Sequence, residues 1–309
     1  MPYLRSFGCA LPAERVDNEA LAARTGRDAA EIEEKTGIRE RRYAAAGVTV
    51  ADLGLAAASD CLANSGLSAQ EVGLILFATG SGERCFPGPA SELAARLGLT
   101  STPAIDLPMA SVGSLTGIAL ANDLAPRYGN VLVVASEIMS RRISDADPDT
   151  AILFGDGAGA CLVSRESGFA RIVDFALYTD GNSAGSLYLP SSGTLQMNGL
   201  AVIMHASRKL PRAIGDLLNK HGISPADVGV YLMHQANANL LRKVASTLKV
   251  PDERFFSNIE CYGNTSSASL LIAAAEWRRA DAKAIAGPIV LAAFGAGFHW
   301  GVLLAEQIA

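Results

Sequence analysis

The feature that most constrains this chain is an internal duplication, in which two stretches about half the chain apart resemble each other. GLSAQEVGLIL begins at Gly66 and GISPADVGVYL begins at Gly222, and the two align without a gap. A second pair, FGDGAGACLVS and FGAGFHWGVLLAE, follows in the same order. Each match is short, but their common order predicts two similar halves, residues 1–165 and 166–309.

Within each half, strand-like and helix-like segments alternate along the sequence. Apolar residues at helical spacing predict helices over 53–66, 90–98, 114–129, 209–222 and 237–250, and apolar runs predict strands over 131–137 and 289–295. Alternating strands and helices are typical of mostly parallel sheets that helices cover. Because no linker rich in Pro, Gly or Ser separates the halves, we expect one tight interface between them, where pockets are common.

Composition excludes several classes of protein. The 309 residues are 50% hydrophobic and only 18% charged, which indicates a large buried core rather than disorder. A net charge of −5 argues against nucleic acid as a partner. We find neither a membrane-length apolar run nor a signal peptide, and therefore expect a cytoplasmic protein that binds no membrane. The five cysteines lack CxxC or metal-like spacing, which predicts reduced thiols and no metal site.

The first candidate catalytic residue is Ser111, in the segment IDLPMASVGS of residues 105–114. An apolar, strand-like run leads into Ser111 and Gly113, and a helix-like segment follows. A nucleophile at such a junction lies at the helix N-terminus, where the helix dipole stabilises developing negative charge. The same pattern also fits a serine that only caps the helix, so both interpretations stay open.

Two further polar residues occupy comparable positions. His234 follows the apolar run VGVYLM, and Asn264 lies in CYGNTSSAS before an apolar helix. A histidine at the carboxyl end of a parallel strand is well placed to act as a base, although a histidine packed in the core gives the same pattern. Asn264 also fits a helix cap. Because its distance from Ser111 nearly equals the offset of the duplication, we expect the two turns to face a common centre.

These segments together resemble the β-ketoacyl-acyl-carrier-protein synthases III. The resemblance covers nearly the whole chain in order, through ALPAERVDNEALAARTG, KTGIRERR, DLPMASVG, FGDGAGA, HQAN, YGNTSSAS and FGAGFHWG. It implies an α/β thiolase fold with two duplicated halves packed as a layered α-β-α-β-α sandwich. It also implies an acyl-CoA or acyl carrier protein as substrate and partner, no permanently bound cofactor, and a homodimer.

The resemblance also implies roles for the candidate residues. In that family the residue after DLxxA is a nucleophilic cysteine, and Ser111 stands in its place here. His234 and Asn264 match the residues that bind the thioester carbonyl. The backbone N–H groups of Ser111 and Ala296 match the pair that forms the oxyanion hole.

The same resemblance implies residues for the two ends of the substrate site. It assigns Phe86 (across a dimer interface), Gly295 and Gly297 to the acyl pocket, and Lys35, Arg39 and Asn239 to the mouth that receives coenzyme A or the carrier. Glu31 stands where family members often have a tryptophan that stacks on adenine. Lys35 and Asn239 stand where they have arginines. These changes predict weak binding of free coenzyme A thioesters and leave a carrier-bound donor open.

The serine at position 111 bears directly on the mechanism. A thiol with a pKa of ~8.5 can ionise at a helix N-terminus, whereas a hydroxyl needs a base, for which His234 is the candidate. The intermediate becomes an oxygen ester, a poorer electrophile toward carbon than a thioester. Our first hypothesis is therefore an acyltransferase of secondary or polyketide metabolism that passes the acyl group from Ser111 to an acceptor. The alternatives are a decarboxylative condensing enzyme of fatty acid or polyketide priming, a non-catalytic partner subunit, or a serine introduced in place of a native cysteine.

Overall fold

The computed structural model describes residues 1–280 and 286–308. The strands are β1 Tyr3–Ala10, β2 Glu14–Asp17, β3 Glu40–Tyr43, β4 Val72–Ala78, β5 Ala104–Leu107, β6 Asn130–Ile138, β7 Asp156–Ser164, β8 Ala170–Thr179, β9 Leu187–Tyr188, β10 Gln196–Met197, β11 Val230–Met233, β12 Phe255–Phe256, β13 Ile289–Gly295 and β14 His299–Gln307. The helices are α1 Asn18–Thr25, α2 Ala29–Thr36, α3 Val50–Ser65, α4 Pro89–Arg96, α5 Gly113–Tyr128, α6 Pro148–Ala151, α7 Gly199–Lys220, α8 Ala238–Leu248, α9 Ile259–Tyr262 and α10 Ser269–Arg279.

Ten of these strands form one mixed sheet, in the order β12-β11-β13-β14-β8-β1-β7-β6-β4-β5. When each half is followed from its outer edge to the centre of the sheet, the two halves have the same order of parallel and antiparallel strands. The first half is β5-β4-β6-β7-β1, with β4 parallel to β5 and β6, and β7 antiparallel to β6. The second half is β12-β11-β13-β14-β8, with β11 parallel to β12 and β13, and β14 antiparallel to β13. The halves join where β1 pairs antiparallel with β8.

The turn that opens each duplicated segment has the same conformation in both halves. Helix α3 begins at a capping box formed by Thr49 and Asp52 and ends at Gly66, which has a φ of 71°. Helix α7 is followed by Gly222, which has a φ of 68°. In each half a short 3₁₀ turn then leads into a parallel strand, β4 or β11. The duplication seen in the sequence is therefore a structural repeat.

Three apolar clusters separate the layers of the fold. Strand β6 is buried on both faces: Val131 and Val133 join the central cluster, whereas Leu132 and Val134 join a second one beneath α3 and α4. A third cluster lies beneath α7 and α8. Helices α5 and α10 pack against strands of both halves and form the central layer. This arrangement confirms the predicted layered α/β fold.

The helix predicted over 209–222 is longer than expected, because α7 begins at Gly199. The side chain of Asn198 caps its first turn by accepting a hydrogen bond from the N–H of Ala201, at 3.1 Å. Pro211 lies inside the helix. Among the described residues, no helix is long and apolar enough to cross a membrane.

Candidate active site

Ser111 lies in the turn between β5 and α5, next to the N-terminus of that helix. Its φ of 64° is in the left-handed region, which costs a residue with a side chain about 1–2 kcal/mol. Strained backbone of this kind is concentrated at functional sites, where the surrounding structure holds it. The N-cap of α5 is Val112, so Ser111 does not cap this helix, and its left-handed φ differs from the extended φ that is usual at a cap.

Two glycines allow the backbone around Ser111 to pack closely. A Cβ placed on Gly295 would lie 2.4 Å from the Ala110 carbonyl oxygen and 2.8 Å from the Ser111 Cβ. A Cβ placed on Gly80 would lie 2.6 Å from the Ala110 Cβ. The Ser111 turn is therefore held between β13 and the loop after β4, with no space for a side chain at either glycine.

Asn264 lies in the second turn, between α9 and α10, and the two turns meet as predicted. Its backbone N–H donates to the Leu153 carbonyl at 2.8 Å, and its carbonyl accepts from the Gly155 N–H at 3.1 Å. The side-chain Oδ1 accepts from the Ser266 N–H at 2.9 Å. Within the described residues the Nδ2 has no partner, so it is available as a donor to a substrate.

His234 follows β11 directly, and its ring is buried against Phe294, with ring centroids 5.2 Å apart. Its Nδ1 lies 2.6 Å from the Ser269 Oγ, and the ring also interacts with the backbone of Ser266. Burial lowers the His234 pKa from 6.5 to about 3, because the apolar surroundings disfavour the charged ring. The imidazole is therefore neutral at physiological pH.

Ser269 allows His234 two tautomers. The Ser269 Oγ accepts from the Gln235 N–H at 3.1 Å and lies 3.0 Å from the Ser266 carbonyl oxygen. When its hydroxyl donates to that carbonyl, Nδ1 must bear the ring proton, and the bare Nε2 can act as a base. When the hydroxyl instead donates to Nδ1, Nε2 bears the proton and becomes a donor.

The three candidate residues line one cavity of about 60 Å³. Its other lining residues are mostly apolar: Leu153, Phe154, Leu187, Met197, Gly199, Val202, Ile203, Ala236, Asn237, Leu240 and Phe294. The Ser111 Oγ makes no hydrogen bond to His234 or to any other described residue. An apolar cavity with a few convergent, unpaired polar atoms is the usual form of a small-molecule site.

The predicted oxyanion hole is occupied in part by the protein itself. The Ser111 N–H donates to the Ser266 Oγ at 3.0 Å. Ala296 lies in the tight turn between β13 and β14 and is partly exposed. The use of these two N–H groups by a substrate oxygen therefore stays a prediction, and it requires the bond to Ser266 to be exchanged.

None of the three residues predicted for the acyl pocket lines this cavity. Gly295 packs behind the Ser111 turn, and a Cβ on Gly297 would lie 2.0 Å from the His299 ring. The Phe86 side chain is 87% exposed, in the loop between β4 and α4. Its predicted role across a dimer interface is not visible in one chain. The lining instead includes Gly199, Val202 and Ile203 of α7, which no motif marked, and Leu153 and Phe154 at the start of the FGDGAGA segment.

A cleft of about 590 Å³ adjoins the cavity and shares five of its lining residues, Leu153, Met197, Gly199, Ile203 and Asn237. Of the residues predicted for the mouth, only Lys35 lines this cleft, where it pairs with Glu31. Asp147 and Asp149 also line it, and the sequence analysis did not select either. The cleft therefore has more acidic than basic side chains.

The other two residues predicted for the mouth have structural partners. Arg39 forms ion pairs with Glu33 and Glu260 at the surface. The Asn239 amide donates to the carbonyls of Glu34 and Lys35, at 3.2 and 2.9 Å. Asn239 thus holds the start of α8 against the end of α2.

Comparison with known proteins agrees with this fold. The family model "3-Oxoacyl-[acyl-carrier-protein (ACP)] synthase III" matches residues 105–181, and the model of its C-terminal part matches residues 218–306. The β-ketoacyl-[acyl-carrier-protein] synthase III of Oleidesulfovibrio alaskensis is 35% identical, with 98% of each chain covered. That of Gloeobacter violaceus is 38% identical, with 98% of this chain and 97% of the relative covered.

Solved structures show the same similarity. The 3-oxoacyl-[acyl-carrier-protein] synthase III of Aquifex aeolicus superposes with a TM-score of 0.95 at 30% identity, over 99% of this chain and 100% of the other. The priming β-ketosynthase of the R1128 polyketide pathway superposes with a TM-score of 0.91 at 29% identity, over 99% and 98%. Fold and site thus define a thiolase-fold acyltransferase. The chain belongs to the 3-oxoacyl-[acyl-carrier-protein] synthase III family.

Proposed function

We propose that this protein is a decarboxylative condensing enzyme that binds an acyl group on Ser111 and joins it to a malonyl thioester. The names of the relatives, which are synthases of β-ketoacyl products, support condensation over the acyl transfer to another acceptor that the serine first suggested. The observation that supports it most directly is the shared cavity, which Ser111, His234 and Asn264 line together.

The first half-reaction forms the acyl-enzyme. The Ser111 Oγ attacks the thioester carbonyl, and its proton passes to the bare Nε2 of neutral His234. The C–S bond then breaks, and the thiolate of the carrier leaves with that proton. The products are an ester on Ser111 and a free carrier thiol. The low pKa of His234 keeps the ring unprotonated, which this step requires.

The second half-reaction forms the carbon–carbon bond. The malonyl thioester loses CO₂, and the electron pair of the broken bond becomes an enolate on the thioester. Asn264 Nδ2 and a protonated Nε2 of His234 donate to the enolate oxygen, since developing charge is stabilised by preorganised donors. The enolate carbon attacks the Ser111 ester, and the Ser111 alkoxide leaves and takes up a proton from water, so that the condensation consumes one proton for each CO₂ released. The Ser269 hydroxyl can pair with the tautomer that each half-reaction uses: it accepts from Nδ1–H in the first and donates to a bare Nδ1 in the second.

The acidic cleft supports a carrier-bound donor. Free coenzyme A brings three phosphate groups into the mouth, where Asp147 has no basic partner among the described residues and where Lys35 and Asp149 are already in ion pairs with Glu31 and Arg27. A phosphopantetheine arm on a carrier brings a single phosphate, at the far end of the arm. We also propose a homodimer, as the family resemblance implies, in which the partner subunit covers the exposed side chain of Phe86.

The test is intact-protein mass spectrometry after incubation with acyl-carrier and acyl-coenzyme A thioesters. We expect an acyl adduct on the native protein and none on Ser111→Ala. Ser114→Ala is the matched control: Ser114 is buried three residues further along α5, its hydroxyl has no partner, and it does not line the cavity. Malonyl carrier is then added to the labelled enzyme, and the β-ketoacyl product is measured.

The outcomes separate the candidate functions. Loss of the adduct together with formation of β-ketoacyl carrier supports condensation. An adduct that is stable to malonyl carrier but is removed by an alcohol or amine supports simple acyl transfer. If no donor labels the native protein, the acyl-Ser111 mechanism is wrong.

A further inference from the structure

A buried carboxylate outside the proposed mechanism lies behind the active-site turns. Glu137 is fully buried near the end of β6, and burial raises the pKa of its carboxyl group. It accepts hydrogen bonds from the hydroxyls of Ser81, Ser266 and Ser267, at 2.6, 3.1 and 2.6 Å, and from the Gly80 N–H at 3.0 Å. No lysine or arginine of the described residues pairs with it. Such a group is costly to bury, so a function is expected for it.

One of these donors, Ser266, is linked by hydrogen bonds to all three residues of the proposed site, directly to Ser111 and Asn264 and through Ser269 to His234. Its N–H donates to the Asn264 Oδ1 at 2.9 Å, which leaves the Asn264 Nδ2 for the substrate. Its Oγ accepts from the Ser111 N–H at 3.0 Å. Its carbonyl lies 3.0 Å from the Ser269 Oγ, which in turn contacts the His234 Nδ1.

The charge of Glu137 determines how Ser266 can bond. When the Glu137 carboxyl group is ionised it only accepts, and the single proton of the Ser266 hydroxyl then points at Glu137. The lone pairs of that hydroxyl are then directed away from Glu137, and one of them meets the Ser111 N–H. Ser266 itself has a φ of 50°, a strained conformation that these bonds hold in place.

Glu137 also reaches the opposite side of the Ser111 turn. The Gly80 N–H that donates to its carboxylate belongs to the loop that packs against Ala110, the residue before Ser111. Thr79 adds a hydroxyl from the same loop at 3.2 Å. One carboxylate thus fixes both the loop on one side of the nucleophile and the turn of Asn264 on the other.

We propose that Glu137 is a positioning residue, which holds Ser111, His234 and Asn264 in their mutual geometry through Ser266. This inference rests on the proposed function for the roles of those three residues. It assigns no contact between Glu137 and the substrate. Misplacement of reacting groups by about 1 Å can lower a rate about 100-fold, so we expect losses of this size when the link is broken.

The test compares Glu137→Gln, Ser266→Ala and the double variant with the native protein. Ser136→Ala is the matched control, because Ser136 is a fully buried neighbour on β6 whose hydroxyl bonds to the Val50 carbonyl and not to the site. Two reactions are measured: acylation of Ser111 by an acyl-carrier thioester, and decarboxylation of malonyl carrier, which depends on His234 and Asn264. Thermal denaturation reports whether each variant is folded.

We expect both single variants to lower kcat about 100-fold with KM nearly unchanged, since Glu137 lines neither the cavity nor the cleft. The double variant should fall no further than the worse single variant, because both changes break one chain of bonds. Rates in the folded variants equal to those of Ser136→Ala would overturn the proposal, as would losses that multiply in the double variant. If the native protein decarboxylates malonyl carrier but takes no label on Ser111, the proposed acyl-enzyme fails while the decarboxylation rates still test Glu137.

Discussion

The low pKa of His234 predicts a specific change in stability with pH. In the unfolded chain this side chain titrates near 6.5, whereas in the folded protein burial lowers its pKa to about 3. Between these values the unfolded state binds a proton that the folded state does not. Stability therefore falls as pH decreases below 6.5, with a slope of about 1.4 kcal/mol per pH unit. Above 6.5 the contribution is fully present.

The assay is urea denaturation of the native protein and of His234→Asn at pH 8, 7, 6 and 5. Other groups titrate in both proteins and cancel in the difference. From pH 8 to pH 5 we expect the native protein to lose about 2 kcal/mol more stability than the variant. The difference should be absent between pH 7.5 and 8, where His234 is neutral in both states.

Equal pH slopes in the two proteins would refute this reasoning, since they would mean that His234 titrates in the folded state as it does in water. The same pKa also determines how enzyme activity is expected to change with pH. A general base with a pKa near 6.5 would lose activity as pH falls from 8 to 5. With a pKa of about 3, His234 can act as a base without any such loss.

Three further predictions concern the site. Gly295→Ala places a Cβ 2.4 Å from the Ala110 carbonyl oxygen, so we expect about 1–3 kcal/mol of destabilisation by urea denaturation and no Ser111 adduct by mass spectrometry. Gly215→Ala, a helical glycine whose Cβ would meet nothing within 4 Å, is the control, with an expected gain of about 0.5–1 kcal/mol. Ser269→Ala removes one partner of His234 and should slow acylation about tenfold in single-turnover kinetics; an unchanged rate would contradict its role. Ser111→Cys should give a thioester that malonyl carrier removes faster than the ester, measured as β-ketoacyl product; a slower product rate would show that the site is adapted to the hydroxyl.

The repeat and the three catalytic candidates could be predicted because each follows a local pattern. Gly66 and Gly222 end helices in the same left-handed conformation, and such a conformation favours glycine at both places. Ser111 and Asn264 each lie in a turn before an apolar helix, so their meeting followed from the symmetry of the repeat. Strands β6 and β13 could be predicted from short apolar runs in the sequence, because both strands are buried on both faces.

The lining of the cavity could not be predicted in this way. Its α7 residues, such as Val202 and Ile203, form part of an amphipathic helix that has no motif, and only the fold brings them near Ser111. Asn239 occupies a position that the family resemblance marked for the substrate, yet its amide bonds two helices together. Glu137 ends an apolar strand without any motif around it, and its five donor residues come from two segments distant in sequence. Tertiary contacts of this kind leave no local signal.

The arrangement around Ser266 offers a physical account of how one neutral histidine can serve two half-reactions. In the proposed mechanism His234 accepts a proton from Ser111 in the first and donates to an enolate in the second, yet its low pKa prevents it from remaining doubly protonated between them. The ring therefore has to exchange one proton with water between the two steps, losing it at Nδ1 and gaining it at Nε2. The Ser269 hydroxyl can pair with either tautomer by turning between the Ser266 carbonyl and the His234 Nδ1. A fixed Ser266, bonded to a buried carboxyl group, therefore keeps Ser269 in position to stabilise both forms of His234.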